Sequence, residues 1–304
     1  MKNLKHLTII AVALISIIAM GACQKMILDD ENPEGSAASG NVIIKASMYN
    51  IVPFDVRAVQ NIADYCSTIQ FIFYQDGTKK KQLNQKKGES NYGEASLTLT
   101  PGTYQVLVLA HSCPLGNPTV SNPEDIQFSN KGTGYSDTFY YYGDIEVTKE
   151  QKIYDIMLER AVSMVRLIIT DDIPSNVASI YLRYEGESGH FNATTGWGGS
   201  TNSKQSINYN VKNSTAPLTL RAYTFLRKET GVLKMTITAY DTNNVDDPNA
   251  IVIAEKTLES IPVMNHMVTE IEGKLFSEDE PDESSASFNL TADTAWEVYQ
   301  KLNL

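Results

Sequence analysis

The sequence predicts an all-β protein: two β-sandwich domains in series, placed behind an export segment and a flexible tether. Three observations carry this. From Asn41 onward the apolar residues alternate or run in strand-length pieces between turn residues, and no long stretch keeps a helical period. The same grammar occurs on both sides of Glu159-Arg160. The 304-residue length, less its leader, also exceeds the roughly 100–150 residues usual for one domain.

Residues 1–22 read as the leader. Lys2 and Lys5 precede an uncharged, largely apolar run of 14 residues from Leu7 to Met20, shorter than the ~20 residues needed to span a bilayer as a helix. Met20-Gly21-Ala22-Cys23 follows at once, which is the layout of a lipoprotein export signal. Small residues let the peptide lie extended in a peptidase cleft, so cleavage is expected between Ala22 and Cys23, with Cys23 as the lipidated residue. The usual Leu three positions ahead of the cysteine is Met20 here. Stable anchoring takes two or more lipid chains at ~0.8 kcal/mol per buried CH₂. Removing Lys2 and Lys5 takes two positive charges away and moves the formal charge from −11 to −13. So acidic a chain repels phosphate backbones, and no nucleic-acid partner is expected. Residues 23–40 carry Asp29, Asp30 and Glu31 and then a Gly-Ser-Ala stretch, too poor in apolar groups to pack, and form the tether.

The first sandwich is expected over residues 41–159. Ile69, Phe71 and Phe73 alternate with Gln70 in a strand that ends at Asp76-Gly77, a pair that supplies the positive φ of a tight hairpin. Ser96 to Thr100 leads into a Pro101-Gly102 turn, and Tyr104 to Ala110 returns as a strand apolar on both faces, suited to the middle of a sandwich. Ser112 to Gly143, with three prolines and Phe139-Tyr140-Tyr141-Tyr142, reads as a long loop of the kind that carries surface function. Strands follow at Ile145–Val147 and Lys152–Leu158. The second sandwich is expected over residues 160–276, with strands at Ala161–Thr170, Ala178–Tyr184, Pro217–Leu226, Val232–Tyr240, Ile251–Lys256 and Val268–Leu275. Cys66 and Cys113 sit at ends of neighbouring strands. They form either a disulfide staple or two buried thiols, because two cysteines carry no diagnostic spacing.

Residues 277–304 form an acidic linker and a tail. Ser277 to Ser285 is too charged to fold alone. Beyond it Ala286, Phe288, Leu290, Ala292, Trp296 and Val298 occupy even positions and polar residues odd ones, the period of a strand with one buried face. Thr294-Ala295-Trp296-Glu297 competes as a capping box for a short helix over Ala295–Leu302. A lone amphipathic strand must find a sheet edge.

Little in the chain points to chemistry. His111, His190 and His266 are far apart without ligand spacing, so neither a metal site nor an imidazole base is expected. Gly186-Glu187-Ser188-Gly189-His190 lacks the last glycine of a nucleophile elbow. Asp241 to Asp246 puts Val245 at a ligand position of a calcium loop and Asp246 at its turn glycine. No cofactor and no enzyme activity are expected. Trp197 and Tyr140, Tyr141 and Tyr142 are candidate stacking platforms for a glycan, against the plainer alternative of loop packing.

The ordered stretches Thr68 to Tyr74 before Asp76-Gly77, Leu99-Thr100-Pro101-Gly102-Thr103-Tyr104, Leu158-Glu159-Arg160-Ala161-Val162 and Ile271 to Phe276 resemble the fimbrillin superfamily of Bacteroidota, specifically FimB-type anchor and assembly lipoproteins of type V pili. The resemblance covers roughly residues 41 to 276. It implies two transthyretin-like domains, an outer-membrane location through the lipid on Cys23, pilus subunits of the same superfamily as partners, and a role in cell adhesion. It also implies assembly by strand donation, for which Ala286, Phe288 and Leu290 are the expected inserted side chains. Arg57 and Arg160 are the arginines at which a processed relative would be cut, and an anchor is expected to stay whole. The competing expectation is an outer-membrane glycan-binding lipoprotein of a polysaccharide-uptake system.

Overall fold

The computed structural model describes residues 40–49, 59–129, 132–199, 204–277 and 297–303. It is built from strands, with one 3-10 turn at Ile62–Asp64. Among the described residues no helix is long and apolar enough to cross a membrane.

The first half contains β1 (Val42–Tyr49), β2 (Val59–Gln60), β3 (Thr68–Gln75), β4 (Thr78–Lys86), β5 (Glu94–Leu97), β6 (Gly102–His111), β7 (Ile126–Gln127), β8 (Thr138–Val147) and β9 (Lys152–Arg160). Two layers face each other. One has the order β4-β3-β6-β8; in the other β9 and β1 run parallel, with β2 and β5 antiparallel on β1. The hairpin from β3 to β4 turns on Asp76 and Gly77 at φ of 53° and 69°, the conformation that Asp-Gly favours. Ile69, Phe71 and Phe73 from β3, Val106 and Val108 from β6, and Val42 and Ile44 from β1 fill the space between the layers.

The second half contains β10 (Ser163–Ile169), β11 (Ser179–Glu185), β12 (His190–Asn192), β13 (Trp197–Gly198), β14 (Gln205–Asn210), β15 (Leu218–Thr224), β16 (Thr230–Tyr240), β17 (Val252–Met264), β18 (Met267–Gly273) and β19 (Glu297–Asn303). Sheet β15-β10-β18-β19 lies over sheet β14-β11-β16-β17 around Val165, Leu167, Leu182, Ile237 and Ile271. The β17 strand is about twice the length its apolar run suggests, because its first half is a solvent-facing edge that starts at exposed Val252, just after exposed Ile251.

A third core joins the two halves. Ile72, Tyr74, Leu107 and Leu109 turn away from the first core and meet Val162, Met164, Phe191, Phe225 and Val268. This is why β6 is apolar on both faces: it lies between two cores, a different reason from burial within one sandwich. The segment from Ser112 to Gly143 is no free surface loop. It supplies β7 to a three-stranded sheet with β12 and β13, packs Val120, Phe128 and Tyr135 into the third core, and runs into β8 from Thr138. Phe128, Phe191 and Phe225 close the junction with ring centroids 5.0 and 5.3 Å apart.

His111 is wholly buried in this layer. Its Nδ1 accepts the Cys113 N–H at 3.2 Å, Nε2 finds no partner among the described residues, and burial pushes the imidazole down to about 4. The unfolded chain therefore takes up the proton first. Stability is fully present above the ordinary histidine value near 6.5, declines between there and pH 4, and levels off below, with a loss of about 3 kcal/mol. Melting temperature measured from pH 7.5 to 4 should fall, and His111→Leu should flatten the curve. His266, shifted downward by burial and by Arg160, leaves a residual slope.

Candidate functional site at the sheet edges

Unpaired sheet edges are the parts of such a fold that can bind another chain, since their N–H and C=O groups pair with an incoming strand. The edges differ in how they are protected. At β4, Lys79, Lys80, Lys81 and Lys86 are exposed and the pairing with β3 is irregular between Phe73 and Tyr74, so an incoming strand meets charge and a kinked backbone. At β15 the Tyr209 hydroxyl accepts the Arg221 N–H at 3.2 Å and donates to the Arg221 carbonyl, occupying the groups a partner strand would use.

The opposite edge of that sheet is closed by the tail itself. β19 runs parallel to β18, with Met267 opposite Glu297 and Glu272 opposite Asn303, and the register slips once between Val268 and Thr269. Of the competing helix over Ala295–Leu302, the described residues Glu297–Leu302 are strand. A helix of about two turns is marginal in water, whereas β18 offers a prepared row of backbone partners. Ala286, Phe288 and Leu290, like Ala22 and Cys23, lie outside the described residues.

β18 is a core strand. Val268 and Ile271 are fully buried, and Glu270 accepts from Arg166 Nη1 of β10 at 2.9 Å within the sheet. Immediately after it, Asp171 fixes the direction in which the chain leaves, accepting the N–H groups of Leu275, Phe276 and Ser277 at 3.0, 2.7 and 2.8 Å. Burial works against that charge, but these hydrogen bonds outweigh it and hold the Asp171 carboxyl below the usual carboxylate range. The start of the tail is thus a fixed point.

Arg160 sits at the junction of the two halves and is only 6 % exposed. Its Nε and Nη2 donate to Asp137 at 2.8 and 2.9 Å, and its guanidinium lies 4.7 Å from the Phe139 ring centroid. An arginine held this way at the end of a strand is not presented to a protease; Arg57 lies outside the described residues. Cys66 and Cys113 are free thiols in the structure, both buried, and burial raises the values of both. Sequence reasoning missed the Arg160–Asp137 pair because 23 residues and an apparent loop separate the partners.

Tyr140, Tyr141 and Tyr142 belong to β8. Tyr140 and Tyr142 pack on the third core and Tyr141 on the first. Trp197 is half-buried in β13, opposite Asn192. Glu187 and Ser188 of the elbow-like segment are buried, with Glu187 accepting the Arg227 N–H at 2.9 Å. Among the described residues no group of three or more His, Cys, Asp or Glu is placed to hold a metal ion.

The model of one family, described as fimbrillin-A associated anchor proteins Mfa1 and Mfa2, matches residues 62–299. No curated protein sequence matches the chain. Among solved structures, a Bacteroides ovatus protein provisionally described as an adhesin is 18 % identical over 79 % of this chain and 87 % of its own, with a TM-score of 0.45. The fimbrial anchor protein Mfa2 from Porphyromonas gingivalis is 11 % identical over 72 % of this chain and 96 % of its own, with a TM-score of 0.37.

Proposed function

The chain belongs to the family of fimbrillin-A associated anchor proteins, and from that premise we propose that it is a non-catalytic subunit, held in the outer membrane by lipid on Cys23, that anchors or nucleates a fimbria by strand exchange. Membership makes it a fimbrial, adhesion-related protein of the cell surface. The finer reading rests on one observation: the last strand, β19, is the outermost strand of its sheet and follows a long acidic connection, so it can leave without unravelling the strands before it.

The physical logic is exchange. Pulling β19 away leaves the outward N–H and C=O groups of β18 without strand partners, a vacant sheet edge open to another chain. A strand from a neighbouring subunit restores those bonds, while the released tail inserts Ala286, Phe288 and Leu290 into a groove of the neighbour. The acidic run from Ser277 to Ser285 gives the tail its reach, and the Asp171 clamp fixes where that reach begins. Arg160, paired and buried, fits a subunit that stays whole, as an anchor must if its lipid is to hold the fibre.

The membrane half of the proposal is tested by Cys23→Ala in cells. The variant should pass from the membrane fraction to a soluble one, and fimbriae should be shed into the medium. Retention in the outer membrane at the wild-type level would contradict it.

A further inference from the structure

β8 and β9 would form a complete hairpin in their register, yet they pair only where Phe139 meets Arg160 and Tyr140 meets Glu159. From there they part, β8 following β6 and β9 following β1. At the parting point lies a cleft of about 280 Å³, walled by Tyr140, Tyr142 and Glu159 and, from the second half, by Thr194, Thr195 and Gly196. Gly196 has φ of 78° and lies against the Tyr140 hydroxyl, where a Cβ would not fit. Tyr140 is fixed on its other side by Phe191, edge to face at 4.7 Å.

We propose that this cleft binds a single ring of a neutral glycan. Tyr140 is held between Phe191 and Gly196 and Tyr142 packs on the third core, so the parts of their rings that line the cleft can meet the C–H side of a pyranose without losing much freedom on binding. Glu159, Thr194 and Thr195 are exposed and line the cleft, where they supply acceptors for its hydroxyls; the Thr194 hydroxyl already donates to Asn192 Oδ1 at 2.7 Å, which leaves its oxygen to accept. The volume is at the lower end of small-molecule sites, enough for one ring and not for an oligosaccharide. The lining holds no lysine, arginine or histidine, and the Glu159 charge adds to the burial that raises the Tyr140 hydroxyl. Uronates, sialates and phosphosugars are therefore disfavoured. An extended peptide is disfavoured as well, because about 280 Å³ holds one ring and not a run of residues. Trp197 follows Gly196 in sequence but is not part of this wall.

The site is independent of the tail, so its failure would leave the anchoring proposal untouched. The test uses residues 23–304 carrying Cys23→Ala, with saturation-transfer NMR and titration calorimetry against the methyl glycosides of glucose, galactose, mannose and N-acetylglucosamine. Glucuronate and a lysine-bearing peptide are the comparison ligands. At least one neutral glycoside should bind in the millimolar range and glucuronate should not. Thr195→Trp, which fills the cleft from its rim, and Glu159→Ala should each weaken binding by about tenfold or more at an unchanged melting temperature. No neutral glycoside bound at about 50 mM, a dissociation constant unmoved by Thr195→Trp, or tighter binding of the lysine peptide than of every glycoside would overturn the proposal.

Discussion

A chain ending at Ser284, with Ser285 to Leu304 removed, should fold, stay monomeric and fail to join its partner subunits. The core residues Leu167, Leu182, Ile237 and Ile271 of the second half come from β10, β11, β16 and β18, all of which precede β19 in the chain. What the deletion removes is the outer strand of one sheet and, in the same stroke, the donor. Capture of partner subunits should fall by more than about tenfold, a loss of at least 1.4 kcal/mol. Native gels and sedimentation of the truncated chain, alone and with partner subunits, provide the reading. Wild-type assembly by the truncated chain would rule out the tail as the donor.

The second large effect is expected at Arg160. Arg160→Ala strands the Asp137 carboxylate in a buried junction and removes the cation from the face of Phe139. Breaking a buried ion pair from one side costs about 3–5 kcal/mol, which in a protein of this size lowers the melting temperature by roughly 10 °C. The double change Arg160→Met with Asp137→Leu should cost much less than the single one, since no unpaired charge remains. Its measure is a double-mutant cycle by chemical denaturation. Equal losses in the single and double variants would mean that the junction depends on packing and not on the pair.

Most strands were legible because half-buried strands alternate. β3, β9, β10, β11, β15, β16 and β18 lie within a few residues of where their apolar patterns put them. The failures have physical causes. β4 shows no apolar pattern because its side chains are largely exposed and lysine-rich, and β14 was missed as a short edge strand. Only the end of β8, Ile145–Val147, was legible; its start was hidden because Phe139 and the three tyrosines serve two cores, leaving no alternation to read. The same sharing concealed the third core. Periodicity tells which face of a strand is buried but not which distant strand buries it. The tail's sheet-seeking character was readable from its alternation, but its choice of β18 as partner was not, because parallel pairing across an acidic connection leaves no local signature.

The exchange of β19 is tested most directly by locking it. Cysteines placed at Met267 and Glu297, which face each other across β18 and β19, would tie the tail to its own sheet when oxidised. The oxidised protein should stay folded and monomeric beside its partner subunits, and reduction should restore assembly. Assembly of the locked protein at the rate of the reduced one would contradict the exchange of β19.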